Sequence, residues 1–375
     1  MPQLQRATRT VMYLPGAGGE PAGHERISHW CMTRRLADVL GLPFGGECNE
    51  VAPPPTGAGY IVPARTLSTA QAAACGIGGV DDVFGGVVPH DFAGTKIITH
   101  GLWRADATAP PGWCEAFPAA VRHVVLEGYS AFDPADLEQA AAALLRHGRV
   151  RVKQPGGIGG QGQQTIGSGA ELARLVQALA EQGSTLAREG LVVERDLAEV
   201  ATHSVGQVRV GGLCMTYCGS QRSTIDNRGG TVYGGSVLHC VRGDFDALDQ
   251  FDPDPGTRLA IHQARTYHEA AQRCFPGIIL SRANYDVAQG RDAGGRACSG
   301  VLEQSWRIGG ASAAEIEAVA ILLHQPSRQV VHALTSEIYG PHATAPPDAI
   351  VLFHGNDPHN GPLLKYAQVI AHADS

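Results

Sequence analysis

Residues 148–163 read GRVRVKQPGGIGGQGQ, and Gly157, Gly159 and Gly162 among them match G-x-G-x-x-G, the pattern of a dinucleotide-binding turn. Such a turn needs its last glycine to open a helix at once, so that the helix N-terminus meets the pyrophosphate, and an acidic residue about 20 positions on for the ribose. Here the helix cap comes only at Ser168, in a capping box with Glu171 ahead of ELARLVQALAEQ, with Gly183 marking the helix end. The next strand with an acidic end puts Glu194 too far downstream. A Walker loop would continue with Gly-Lys-Ser or Gly-Lys-Thr, and a protein-kinase loop would be followed by HRD and DFG; the sequence has neither. What remains is a strand, RVRVK, whose alternation puts Arg149, Arg151 and Lys153 on one face and Val150 and Val152 on the other. A strand ending in lysine, a Gly-rich turn and a second short strand, QQTI, make a β-hairpin flap whose backbone N–H groups fold over phosphates.

The chain around this flap has 375 residues, 43% of them hydrophobic, which supports two or three folded domains. A formal charge of -7 with 17% charged residues offers no broad basic field for nucleic acid. The basic, aromatic-bearing stretch RVGGLCMTYCGSQRSTIDNRGG reads better as a strand followed by a polar loop. No uninterrupted apolar run approaches the roughly 18 residues that span a bilayer. Partners are therefore expected to be small molecules, with no nucleic acid and no membrane. VMYLPGAGG, after the basic start MPQLQRATRT, is too short and Gly-rich for a signal-peptide core, so the expected location is the cytoplasm. Nine cysteines without a CxxC pair read as reduced thiols. Cys214 and Cys218 lie about 13 Å apart if their run is a strand, too far for one metal.

Before residue 95, VMYLP (11–15), HERISHWCMTRRLADVLG (24–41), YIVP (60–63) and STAQAAACG (68–76) alternate strand-like and helix-like character, which predicts a small α/β domain with a parallel sheet. Residues 96–130 are rich in Pro, Trp and turn residues and read as a connection. A helix follows with Asp133 as N-cap, Pro134 at its first position, Leu137, Ala141, Leu144 and Leu145 on one face and Gly148 as its stop. LVVERDL (191–197) reads as a buried strand, 203–218 and 230–242 as strands, 257–273 as a helix, and 284–289 with 296–305 as a hairpin around GRDAGG. A helix over 312–323 and a strand, IVLFHG (350–355), complete the pattern.

The lysine, flap, hinge-like strand and later acidic strand, in this order, resemble the ATP-grasp superfamily. More narrowly, VATHSVGQVRVGG, DNRGGTVYGGS and VLEQSWRIGGAS resemble an uncharacterised bacterial family related to those proteins. The resemblance implies an α/β N-terminal domain (1–95) followed by α+β subdomains (96–190 with the flap, 191–310 with the metal strand) that sandwich a nucleotide, and an extension (311–375) packed on the core. It implies that Lys153 and Lys96, in GTKIITHG, contact phosphates under a flap made by Gly156, Gly157, Gly159, Gly160 and Gln161. Backbone groups from Glu194 to Leu197 would meet the adenine edge, and Glu199 the ribose hydroxyls.

The segment VLEQSWRIGGAS carries most of the chemistry, because alternation sets Glu303, Ser305 and Arg307 on one face and Gln304, Trp306 and Ile308 on the other. It looks like the ATP-grasp Glu-x-Asn-x-Arg strand, with serine in place of asparagine. The resemblance makes Glu303 and Asp286 ligands of Mg2+ (or Mn2+), Ser305 a shorter substitute for an amide ligand, and Arg307 the group facing developing negative charge. If Asp286 is opposite Val301 in the hairpin, it is a diagonal neighbour of Glu303, about 7 to 8 Å away at Cα. Arg209, Arg222 and Arg282 are candidate ligands for a substrate carboxylate. The implied activity is an ATP- and magnesium-dependent ligase that activates a carboxylate as an acyl phosphate for an amine or similar nucleophile, with Lys153 and Arg307 as catalytic groups; a homo-oligomer is compatible with it. The alternative is a nucleotide-binding regulator or scaffold of the same fold that has lost ligation, which the serine at 305 favours.

Overall fold

The computed structural model describes residues 9–16, 23–49, 59–157, 162–182, 184–250 and 252–370. Gly159, Gly160 and Gln161 of the flap and the helix stop Gly183 lie outside the described residues.

The first domain is built as its alternation predicts. Strand Thr10–Leu14 lies between Phe44–Glu47 and Gly59–Pro63, parallel to both. Helix His24–Leu40 closes at Gly41, in the left-handed region at φ 64.

Four strands form the second sheet in the order Gly128–Ala131, Leu191–Arg195, Val150–Lys153, Gln163–Ile166, every neighbouring pair antiparallel. Helix Pro134–Leu145, capped by the Asp133 carboxylate as expected, packs Leu137, Ala140, Ala141 and Leu144 against Val150, Val152 and Val193 of this sheet. The hinge strand Leu191–Arg195 thus lies between the flap strand and Gly128–Ala131. A strand buried on both edges stabilises the sheet that contains it, and the next strand, Ala198–Val210, joins a different sheet.

That larger sheet runs, among the described residues, Ala297–Ser305, Arg282–Arg291, Ala198–Val210, Leu213–Ile225, Thr231–Arg242, Val330–Tyr339, Gly361–Ile370, Ile350–Asp357. The single strand-like run expected at 203–218 is a hairpin across Gly211 and Gly212, whose φ values of 57 and 78 suit a tight two-residue turn. Residues 311–375, expected as an extension packed on the core, contribute strands Val330–Tyr339, Ile350–Asp357 and Gly361–Ile370 to this same sheet. Helix Pro255–Cys274 covers its back face. Helices Ser312–His324 and His24–Leu40 cover part of its front face, joined by Arg35 and Glu317 at 2.7 and 2.9 Å. Among the described residues no helix is long and apolar enough to cross a membrane. Cys214 and Cys218 both lie on strand Leu213–Ile225, and all nine cysteines are free thiols.

Candidate functional site

The flap hairpin forms as expected, with Lys153 paired to Gln163 on one side and to Val192 on the other. Lys153 and Glu194 are consequently diagonal neighbours on one face. The Lys153 ammonium, buried, is 2.5 Å from Glu194 Oε1. The other carboxylate oxygen meets Nε2 of His100 at 3.2 Å. Burial alone would push the Glu194 carboxyl up; the Lys153 and His100 charges and hydrogen bonds outweigh it and hold its pKa at about 2. His100 was not singled out from the sequence, although it lies in the quoted GTKIITHG.

Lys96 lies in the short turn Lys96–Thr99, with only 4% of its surface exposed. Its ammonium pairs with the Glu303 carboxylate and donates a 2.9 Å hydrogen bond to the carbonyl of Gly157 in the flap. The acidic strand also holds this turn from its other face, because Gln304 Nε2 donates to the Thr95 carbonyl at 2.6 Å. Successive residues of one strand therefore grip the segment that carries Lys96. Gly156 is exposed at the start of the flap turn, and Gln154 closes that turn by donating its N–H to the carbonyl of Gly162 at 2.8 Å.

Asp286 faces Glu303 directly, and Val287 faces Val301. The expected register, Asp286 opposite Val301, is corrected by a β-bulge that leaves Leu302 unpaired. Without it Glu303 would share the back face with Val301, which is buried in the core; the extra residue turns Glu303 to the front. The two acids are then about 5 Å apart at Cα, where like charges repel. Burial, and next the charge of Glu303, push the Asp286 carboxyl up to about 6, against hydrogen bonds from Gln221 and Asn284.

Beyond the acids the alternation read from the sequence holds: Gln304, Trp306 and Ile308 are buried, while Glu303, Ser305 and Arg307 are partly open on the front. Ser305 Oγ accepts a 3.2 Å hydrogen bond from Arg282. Arg282 itself is 1% exposed, clamped by Glu315 at 2.7 and 2.9 Å and bonded to the Ser305 carbonyl at 2.9 Å. All three of its guanidinium nitrogens are bonded within the protein. Arg209 is exposed on the back face, bonded to Gln207 at 3.0 Å, and Arg222 donates to the Thr335 carbonyl at 3.2 Å. Among the described residues Arg307 has no carboxylate within ion-pair distance; it donates to the carbonyl of Ile308 at 2.8 Å. Burial and the neighbouring Arg282 lower its pKa, opposed by the charges of Glu25, Glu303 and Asp286.

The hinge places Leu197 beside Gly290. Glu199, exposed at φ 53, pairs with Arg291 at 3.2 Å on the rim.

Lys96 thus joins the flap carbonyl of Gly157 to Glu303, which faces Asp286 across the hairpin, while Lys153 and Glu194 form a second buried pair on the smaller sheet. Two facing carboxylates with hard oxygen donors suit a divalent cation. Among the described residues no group of three or more His, Cys, Asp or Glu side chains is gathered for a metal.

The sequence matches, over residues 13–367, the family described as Protein of unknown function (DUF3182), and the chain belongs to that family. No curated protein matches it by sequence. Among solved structures, biotin carboxylase from Campylobacter jejuni, in a complex with β,γ-ATP, superposes with a TM-score of 0.54 at 10% identity, covering 96% of this chain and 87% of that one. N5-carboxyaminoimidazole synthetase from Staphylococcus aureus, complexed with ADP, gives 0.48 at 11% identity, covering 97% and 94%. Carboxyaminoimidazole ribonucleotide synthase from Aspergillus clavatus, complexed with ATP, gives 0.49 at 12% identity, covering 97% and 94%. The fold is that of the ATP-grasp proteins.

Proposed function

We propose that this member of the DUF3182 family is an ATP- and magnesium-dependent ligase that activates a substrate carboxylate as an acyl phosphate, which an amine or similar nucleophile then captures. The observation that carries the reading is Lys96, whose ammonium bridges the Glu303 carboxylate and the flap carbonyl of Gly157. One side chain thereby joins the phosphate-covering loop to the acidic strand, as a site for a phosphate–metal complex requires.

In this reading Lys153 and Lys96 neutralise phosphate charge, and the flap excludes water that would hydrolyse the acyl phosphate. Asp286 and Glu303 would hold Mg2+, which would supply positive charge against that building on the phosphate oxygens. Arg307, without a carboxylate in ion-pair distance among the described residues, faces the incoming carboxylate and stabilises it with paired N–H donors. Backbone groups from Glu194 to Leu197 border the base, and Glu199 takes the ribose. The likeness of fold to biotin carboxylase supports the general kind of chemistry and leaves the substrates open.

The test is release of ADP and phosphate with Mg2+ while pools of carboxylates and amines are added, beside a Glu303→Gln variant. Stimulation by one pair, lost in the variant, is the expected result. Tight ATP binding without turnover under any pool would overturn it. That outcome would favour the regulator reading, for which the engagement of Ser305 Oγ by Arg282 is the specific observation.

A further inference from the structure

Two elements distant from each other in sequence grip the acidic strand Ala297–Ser305. Helix Pro255–Cys274 holds it through side chains: Gln263 Nε2 donates to the Ser299 carbonyl at 3.1 Å, and the Tyr267 hydroxyl donates to Gln304 Oε1 at 2.8 Å. The connection over 96–130 holds it through the backbone, where the N–H of Val301 donates to the carbonyl of Val124 at 2.8 Å. Val301 immediately precedes the bulge that turns Glu303 to the front.

The two grips also meet each other. Between Cys114 and Val124 the connection forms the short helix Ala116–Val121, and the ring of Phe117 packs against those of Tyr267 and Phe275, with centroids 5.0 and 5.2 Å apart. Phe275 directly follows the last residue of the longer helix, Cys274. There the Cys114 thiol donates to the carbonyl of Cys274 at 3.6 Å, across a separation of 160 positions in the sequence. Burial pushes the Cys274 thiol up, and the Cys114 thiol adds to this by its charge and by a side-chain hydrogen bond, which sets the two sulfurs within hydrogen-bonding reach.

Both cysteines are partly exposed, so a small oxidant reaches them. Cys48 and Cys75 also lie near one another, but they are only 6% and 3% exposed. We propose that Cys114 and Cys274 are a reversible redox pair, whose disulfide ties the connection to the end of the helix and so joins the two grips on the acidic strand to each other.

The oxidant is a peroxide. Its O–O bond breaks as one oxygen passes to the first sulfur, giving a sulfenic acid, and the other leaves as water. The second sulfur, as thiolate, then attacks the first; the S–S bond forms and the hydroxyl leaves as water with the proton of the second thiol. Two thiols and one peroxide thus give one disulfide and two waters, and a dithiol reductant reverses the step by exchange. Rotation of the two side chains about their Cα–Cβ bonds is the movement required, because the Cys114 sulfur already lies against the backbone of Cys274.

The test treats the full chain, reduced, freed of reductant and dilute, with hydrogen peroxide, blocks the remaining thiols with N-ethylmaleimide and digests with trypsin. Cleavage leaves Cys114 in the peptide 105–122 and Cys274 in 274–282, each with a single cysteine. Mass spectrometry should find these two peptides linked, and dithiothreitol should part them. The oxidised protein should unfold at a temperature higher by about 2 °C or more, and hydrogen exchange at the Val301 amide should slow several-fold. Cys114→Ser and Cys274→Ser, shown to fold by melting in reductant, should each lose the shift that peroxide causes. Recovery of the two cysteines as separately alkylated or separately oxidised peptides, or linkage of either to another cysteine, would overturn the pair. A linked peptide with exchange at Val301 unchanged, or a peroxide-dependent shift kept in both serine variants, would overturn its action on the acidic strand.

Discussion

Replacing Glu194 by glutamine removes the carboxylate paired with Lys153. Its pKa of about 2, against an ordinary value of 4.5, corresponds to about 3 kcal/mol of stabilisation at neutral pH. Loss of a buried partner that leaves an uncompensated ammonium costs a similar amount, about 3 to 5 kcal/mol. Because the folded value lies below the unfolded one, the native state holds fewer protons. The contribution is thus complete above about pH 5 and is lost as pH falls toward about 2. Urea unfolding of the wild type and Glu194→Gln should differ by about 3 kcal/mol at pH 7, and the gap should narrow steadily below about pH 4.5. The fluorescence of Trp103, packed edge-on against Tyr129 at 5.0 Å beside the same sheet, reports the relevant transition. A variant within about 1 kcal/mol of the wild type at pH 7, or a gap unchanged down to pH 3, would refute the argument that the pair is held by charge.

Lys96→Met should release the flap from the acidic strand: hydrogen exchange at 154–157 should quicken, and ATP affinity fall by about tenfold or more, the equivalent of one charge-assisted hydrogen bond; unchanged exchange would show that the bridge does not tether the flap. Gly206→Ala brings a methyl group within 2.3 Å of the Tyr217 hydroxyl and 2.4 Å of the Ala283 carbonyl. It should destabilise the protein by about 1 to 3 kcal/mol in thermal or urea unfolding, and a neutral effect would place Tyr217 elsewhere.

What was legible in the sequence followed from short-range rules. The alternation of RVRVK gave the flap strand its two faces, and that of EQSWRI gave the acidic strand its own, because side chains on a strand alternate whatever the strand pairs with. The bulge at Leu302 was not legible, since an inserted residue is defined only against a partner strand. The same limit hid the placement of the hinge strand in the four-stranded sheet and of 330–370 in the larger one, both questions of pairing between distant segments. His100, Asn284, Tyr217 and Glu315 escaped notice for a related reason: each is an ordinary polar residue in its own neighbourhood, and only the fold sets it against a charged group.

The cations of the candidate site are for the most part already matched. Lys153 is held by Glu194, and Lys96 by Glu303. Under the proposed function, nucleotide binding is therefore an exchange of partners, in which phosphates replace carboxylates on the lysines and the favourable charge interactions lost offset much of those gained. At Lys96 the exchange has a second consequence. Phosphate can take the ammonium fully only if Glu303 finds another cation, and a divalent ion can take Glu303 fully only if the ammonium finds another anion. Each ligand thus removes the obstacle to the other, and by linkage the nucleotide and the metal should strengthen one another's binding to the same degree. Gly157 bonds to the same ammonium, so the flap should be freed and reseated in that same step. Under the same reading Arg307, which has no carboxylate within ion-pair distance among the described residues, would be the cation left to meet an acidic substrate once the nucleotide and metal are in place.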